Sequence, residues 1–251
     1  MNLPGLNQRK YRDLSLIDLD GERTLVIACD SSGAVGPKPL DVVHVSGYVL
    51  GRFTARVTLM EVVAAGASPI CVVNTLCVEP HPSGEEICLG IADEIRELGL
   101  DPEKLLTGSM EKNMPTSQSG LGVTVIGIAE KKGLKIGALH TGDCVALIGI
   151  PKVGGEVSLA DQEIADLHTV CALINDPTIK EIVPIGSRGV LAEAQDLAHI
   201  YGLELRVQEC TIDLNKSAGP STCLLAVGNQ DSIKNICNTL FKPYNLIGKL
   251  V

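Results

Sequence analysis

The chain has 251 residues and a mass of 26.4 kDa, enough for one large domain or two of ordinary size. Apolar residues make up 45%, but aromatics only 2% and Trp is absent, so Val, Ile, Leu and Ala must pack the core and no stacking platform for single-stranded nucleic acid is present. A net charge of −9 gives no electrostatic route to a phosphate backbone or an anionic membrane.

Two apolar runs, 14–19 and 24–29, read as strands joined through Asp20-Gly21, a favourable hairpin turn. The second ends on Asp30 and runs into SSGAVGPK. A carboxylate there costs desolvation unless something pairs with it. Two readings are open: a turn begun by an Asp that caps its own backbone, and a metal or phosphate site. A helix over 52–65 stops at Gly66, and a strand over 70–78 follows. Ser83 and Glu86 form a capping box, with Ile87, Ile91, Ile95 and Leu98 at helical spacing up to Gly99. Strands over 105–107 and 122–129 complete the first half. Runs 14–19 and 70–78 are taken as long apolar edges, which are normally paired or covered.

EKKG at 130–133 marks a joint between domains 1–132 and 133–251. Beyond it come a strand over 145–150, a helix over 159–175, a strand over 181–185 and a helix over 190–201 ended by Gly202. Strands over 204–208 and 223–227 flank a loop, and a helix over 232–241 precedes a strand over 245–251. Interleaved helices and strands indicate an α/β or α+β fold.

The nine cysteines show no CxxC spacing and lie mostly in apolar runs, against zinc or disulfide frameworks. Reduced, buried, inert thiols in the cytoplasm are expected. MNLPGLNQRKYRD lacks the apolar core of a leader and no run reaches membrane-spanning length, so a soluble protein without a membrane partner is expected.

Asp30, Glu61 and Glu111 sit where a core would not choose acids. Carboxylates from separate elements suit Mg²⁺, which takes one or two of them plus phosphates and water. Glu61 equally fits the surface of an amphipathic helix, and Glu111 an ordinary polar loop. The stretch 107–122 holds Gly108, Ser109, Thr116, Ser117, Ser119, Gly120 and Gly122, a supply of amides and hydroxyls suited to phosphate oxygens. It is no Walker A loop; GIPKVGGEV at 149–157 imitates one but has Gly-Glu in place of Lys-Ser/Thr. Neither a strand-linked G-x-G-x-x-G nor a G-x-S-x-G elbow occurs. The five histidines show no metal-ligand spacing.

The order of Asp30, then Gly51-Arg52, Glu61 and Ala65-Gly66-Ala67-x-Pro69, then Gly108-Ser109 to Gly122, then Thr141-Gly142-Asp143 resembles the aminoimidazole ribonucleotide synthetase superfamily. That superfamily, called PurM-like, includes selenophosphate synthetase, thiamine monophosphate kinase and a hydrogenase-maturation dehydratase. Asp30 matches its strand-end aspartate, Glu61 replaces its helix aspartate, and Gly108-Ser109-Met110-Glu111 stands in for its glycine pair and acid. SRGVLAEAQDLA at 187–198 is similar to a family helix start without its aspartates. The family's glycine- and aspartate-rich N-terminal segment is replaced by RKYRDLSLIDLDGE, and the chain is short for the family. CDSSGAVGPKPLDVV, GRFTARVTLMEVVAAGA and LTGSMEKN are most similar to the α-ribazole kinase subgroup.

The resemblance implies a two-domain fold. An N-terminal mixed sheet would pair with a second copy into a dimeric barrel, beside a C-terminal α/β domain. It implies ATP and Mg²⁺ as cofactors and a nucleoside-like or vitamin-precursor alcohol as phosphoryl acceptor. Asp30, Asp41, Glu61 and Glu111 would bind metal, with Asp30 and Lys38 catalytic. Arg52, Gly108, Ser109, Lys112, Asn113 and Thr116 would contact the nucleotide, and the acceptor would enter near Arg188. A thiamine-monophosphate-kinase-like enzyme, a non-catalytic nucleotide-binding subunit and amide-oxygen activation at the same site are the rival readings.

Overall fold

The computed structural model describes residues 7–137 and 139–251; the MNLPGL part of the N-terminal stretch lies outside them. The chain divides into two compact units, 1–134 and 135–251.

The first unit contains β1 (Gln8–Tyr11), β2 (Leu14–Asp18), β3 (Arg23–Gly33), β4 (Val35–Gly36), β5 (Val43–His44), α1 (Gly47–Ala64), β6 (Ser68–Leu76), α2 (Glu85–Arg96), α3 (Pro102–Leu105), β7 (Leu106–Met110) and β8 (Gly120–Glu130). Six strands form a mixed sheet in the order β1-β2-β3-β8-β6-β7, with β6 and β7 parallel and the other pairs antiparallel. The hairpin at Asp20 forms as expected, its carboxylate accepting the amides of Glu22 (2.8 Å) and Arg23 (2.7 Å).

Runs 14–19 and 70–78 are not edges. β2 lies between β1 and β3, and β6 between β8 and β7. The edges are the polar β1, QRKY, and the short β7. A second difference concerns Asp30, which does not end its strand. β3 continues to Gly33 because β8 pairs with it residue by residue, from Arg23 opposite Glu130 to Gly33 opposite Gly120. Long-range pairing there overrides the turn propensity of Ser-Ser-Gly.

Alternate strand residues meet α1 and α2. Leu16, Val26, Ala28, Val72, Val123 and Val125 are buried on that face. α1 lies close to the sheet where Gly127 faces Val62; a Cβ there would come within 2.4 Å of Val62 Cγ1. The two helices meet at Gly51 and Gly90. A Cβ on either would fall 2.1 or 2.2 Å from a backbone oxygen of the other helix, Ile87 or Tyr48. This close approach carries a buried ion network, in which Glu94 accepts from Arg52 Nε (2.5 Å) and Arg56 Nε (2.8 Å). Glu86 does not close a capping box with Ser83. Its carboxylate accepts Gly47 N (3.0 Å) at the start of α1, tying one helix to the next.

The second unit contains β9 (Cys144–Gly149), α4 (Leu167–Ile174), β10 (Ile179–Pro184), α5 (Val190–Ile200), β11 (Leu205–Val207), β12 (Cys223–Gly228), α6 (Gln230–Leu240) and β13 (Tyr244–Leu250). Its five strands form an antiparallel sheet, β10-β12-β9-β13-β11. The α5 residues Val190, Ala194 and Leu197 pack with Leu147, Leu225 and Ile247 in one core cluster. Every residue of β9 and β12 is buried. α4 is half its expected length, because 159–166 folds as turns and Asp166 caps the helix by accepting Thr169 N (2.8 Å). Gly142-Asp143 is a structural turn: Gly142 has φ +95°, and the Asp143 carboxylate accepts His140 N (2.8 Å) and Lys180 Nζ (2.7 Å).

All nine cysteines are free thiols, but only Cys144, Cys223 and Cys237 are buried; Cys29 and Cys77 are exposed, against expectation. Cys29 lies on β3, on the sheet face left uncovered within the unit, and Cys77 just past the end of β6. Among the described residues no helix is long and apolar enough to cross a membrane.

Candidate functional site

At one end of the first sheet, three connections converge: 34–46 after β3, 77–84 after β6 and 111–119 after β7. Two carboxylates stitch them together. Asp41 is buried; its oxygens accept Lys38 N (2.8 Å), Ser119 N (2.7 Å) and Ser119 Oγ (2.7 Å). Gly36 makes this clip fit. At φ +145° it adopts a backbone that L side chains rarely take, and a Cβ would stand 2.4 Å from Ser119 Oγ. Backbone bonds from Leu40 N to Ser117 O (2.9 Å) and Ala34 N to Ser119 O (3.0 Å) complete the clip.

The second carboxylate is Glu79, which the sequence did not single out. It accepts the Thr116 amide (2.8 Å) and hydroxyl (2.9 Å) and forms an ion pair with Lys38. The Lys38 ammonium and the Thr116 donors hold its carboxyl at about 2, well below the usual carboxylate range.

The expected residues divide between several places. Lys38 and Thr116 do come together, at Glu79. Gly108 and Ser109 are on strand β7 rather than in a loop, and Gly108 permits the parallel pairing, since a Cβ would meet Asn74 Oδ1 at 1.7 Å. Glu111 caps its own turn, accepting Asn113 N (2.7 Å) and Met114 N (3.2 Å), so its carboxyl is held low. Lys112 and Asn113 are exposed beside it. Arg52 does not join these loops. It is committed to Glu94, to Glu97 (2.8 Å) and to Tyr48 (3.0 Å) between α1 and α2. Arg188, in the second unit, pairs with Asp196 (2.5 Å) and Glu193 (3.1 Å) at the start of α5.

The expected four-acid metal cluster does not form. Among the described residues no three His, Cys, Asp or Glu side chains are grouped to hold a metal ion. Asp41 and Glu111 are used in loop clips. Glu61 is buried on α1 rather than in these connections.

Arg12 and Asp13 form the turn between β1 and β2, and the charge of Asp13 reaches Asp30. Burial pushes the Asp30 carboxyl up; the Ser31 amide opposes this, and the charge of Asp13 adds to the rise. Asp13 was not singled out in the sequence.

Residues 11–129 match the family model described as AIR synthase related protein, N-terminal domain. The fold is PurM-like. The chain is similar to thiamine-monophosphate kinase from Stenotrophomonas maltophilia K279a, with a TM-score of 0.65 and 17% identity over 95% of this chain and 86% of that one. The protein tt0281 from Thermus thermophilus gives 0.66 and 14% over 95% and 86%. PurL of Thermotoga maritima, in complex with ADP, gives 0.68 and 14% over 98% of this chain but 43% of its own, so the chain spans less than half of that PurL. A sequence comparison with curated proteins finds no match. The PurM-like unit of this chain thus carries its polar connections at the β3, β6 and β7 ends of the sheet, with Asp30 on the adjoining strand.

Proposed function

We propose that this chain is an ATP- and Mg²⁺-dependent kinase of a small nucleoside-like alcohol, with α-ribazole as the first acceptor to test. The observation that carries the proposal is the convergence of Lys38 Nζ, Thr116 N and Thr116 Oγ on one anionic group, in a PurM-like unit with Asp30 on the strand beside it. A thiamine-monophosphate kinase among the similar structures is consistent with phosphoryl transfer.

Phosphoryl transfer asks a protein mainly for positioning and charge compensation. Lys38 supplies a positive charge, and the Thr116 amide and hydroxyl orient phosphate oxygens. Asp41 and Ser119 keep their two loops in register while ligands come and go. Asp30 is the carboxylate best suited to Mg²⁺, because Asp41 and Glu111 are used in loop clips. Asp30 would help hold Mg²⁺, which would supply charge neutralisation to the phosphates. Lys112 and Asn113 on the connection after β7, with Ser109 at the end of β7 itself, complete the polar surface.

The uncovered face of the first sheet supports a homodimer. Ile17, Leu25, Ile27, Val73, Ile126 and Ile128 point away from the helices and are only half-buried in one chain. The use of Asp41 and Glu111 in loop clips favours one rival, a nucleotide-binding subunit without catalysis. An ATP-consumption screen against nucleosides and vitamin precursors separates the two. Turnover with one acceptor class supports the kinase; nucleotide binding with no turnover on any acceptor supports the subunit.

A further inference from the structure

We propose that Glu79 is an internal occupant of the phosphate seat, and that a polyphosphate ligand binds by displacing its carboxylate from Lys38 and Thr116. The proposal rests on the nucleotide-binding reading above and adds a gate to it.

The three donors around Glu79 are those a phosphoryl group would use: an ammonium, a backbone amide and a hydroxyl. One carboxylate satisfies all three, so an incoming anion must compete with it. The geometry makes that exchange feasible. Glu79 arrives from the 77–84 connection, whereas its donors belong to the other two connections. Those two are held to each other independently, by Asp41 on Ser119 and on the Lys38 amide. Removing the Glu79 side chain therefore empties the seat without taking the frame apart. The Glu79 side chain is 27% exposed, so it has solvent to swing into.

Two further features agree. Leu40, Val42 and Met114 are 63%, 80% and 66% exposed on the same two connections. Apolar tips beside a charged seat suit a ligand with a flat apolar part and an anionic tail. The competition also sets selectivity. A lone orthophosphate replaces one anion by another for little gain, whereas a polyphosphate brings extra charge and further contacts. A seat filled about nine-tenths of the time weakens apparent affinity about tenfold.

The test is calorimetric titration of the full chain with inorganic tripolyphosphate, in wild type, Glu79→Gln and Glu79→Ala, with circular dichroism melts of each. A parallel arm uses ATP with Mg²⁺. Both variants should bind tripolyphosphate about tenfold more tightly than wild type, and Lys38→Met in the Glu79→Gln background should cancel the gain. Equal or weaker binding by the folded variants overturns the proposal, as does failure of every protein to bind tripolyphosphate. Should one variant not fold, the other decides. Tighter tripolyphosphate binding with no ATP binding keeps the gate and removes the kinase. Equal ATP and tripolyphosphate affinities in all three proteins remove the gate and keep the nucleotide site.

Discussion

Replacing Glu94 by glutamine removes one negative charge from between two buried guanidiniums. Glu94 is 1% exposed, with Arg52 and Arg56 at 14% and 8%. In the native chain its two oxygens accept from Arg52 Nε (2.5 Å), Arg56 Nε (2.8 Å) and Arg56 Nη2 (3.3 Å). Glutamine keeps the shape but offers one acceptor oxygen and places an N–H against a guanidinium. Glu97 still reaches Arg52 (2.8 Å), but among the described residues no other carboxylate is bonded to Arg56. Breaking a buried pair from one side costs about 3–5 kcal/mol, a large part of the roughly 5–15 kcal/mol that stabilises a domain. At about 2–4 °C per kcal/mol for a chain of this size, the melting temperature should fall by about 6–20 °C. Differential scanning calorimetry with urea titration measures it. Converting the network to apolar side chains (Glu94→Met, Arg52→Met and Arg56→Leu together) should recover part of the loss, because no charge is then left unpaired. A Glu94→Gln loss below about 1 kcal/mol would show that the network is worth no more than a surface pair.

Four other outcomes follow from the first unit. The Glu79 carboxyl is held at about 2 against an ordinary 4.5, so its contribution to stability is fully present above pH 4.5 and fades as pH falls towards 2; the wild-type minus Glu79→Gln melting difference should follow that window, and a flat difference would contradict it. Burial raises the Asp30 carboxyl, so its charge opposes folding at neutral pH; Asp30→Asn should melt higher than wild type at pH 7, by a margin that closes as pH falls through the ordinary carboxyl range. The same variant should turn over about a thousandfold more slowly in the kinase assay, and undiminished activity would move the metal elsewhere. Ile126→Lys on the uncovered sheet face should convert a dimer into a monomer by light scattering, and a monomeric wild type at tens of micromolar would refute the dimer.

Local signals made much of this fold readable. The glycines at 66, 99 and 202, just past helices, all adopt positive φ, as helix ends ask of them. Period-two burial in β2, β3 and β8 matches their alternation in the sequence. The misreadings occur where a distant partner decides. Ser31 to Gly33 looks like a turn until β8 pairs with it. Glu86 has the spacing of a capping box, yet its carboxylate is taken by the neighbouring helix. Arg52 has the charge for a phosphate, but Glu94, 42 residues away, claims it. Glu79 sits in VEPHP without a motif and acquires its role from Lys38, 41 residues earlier, and Thr116, 37 later. Lys38 and Thr116, singled out from order along the chain, do meet in the structure, but the acid that joins them depended on contacts that no local pattern encodes.

The central claim is that this PurM-like chain binds ATP with Mg²⁺ without a Walker motif, through the connections after β3, β6 and β7. Calorimetric titration of the wild-type chain with a non-hydrolysable ATP analogue, with and without Mg²⁺, tests it directly. Saturable binding that tightens when Mg²⁺ is added, and that Thr116→Val weakens, is the predicted result. No heat and no thermal shift at millimolar nucleotide in either condition would contradict it.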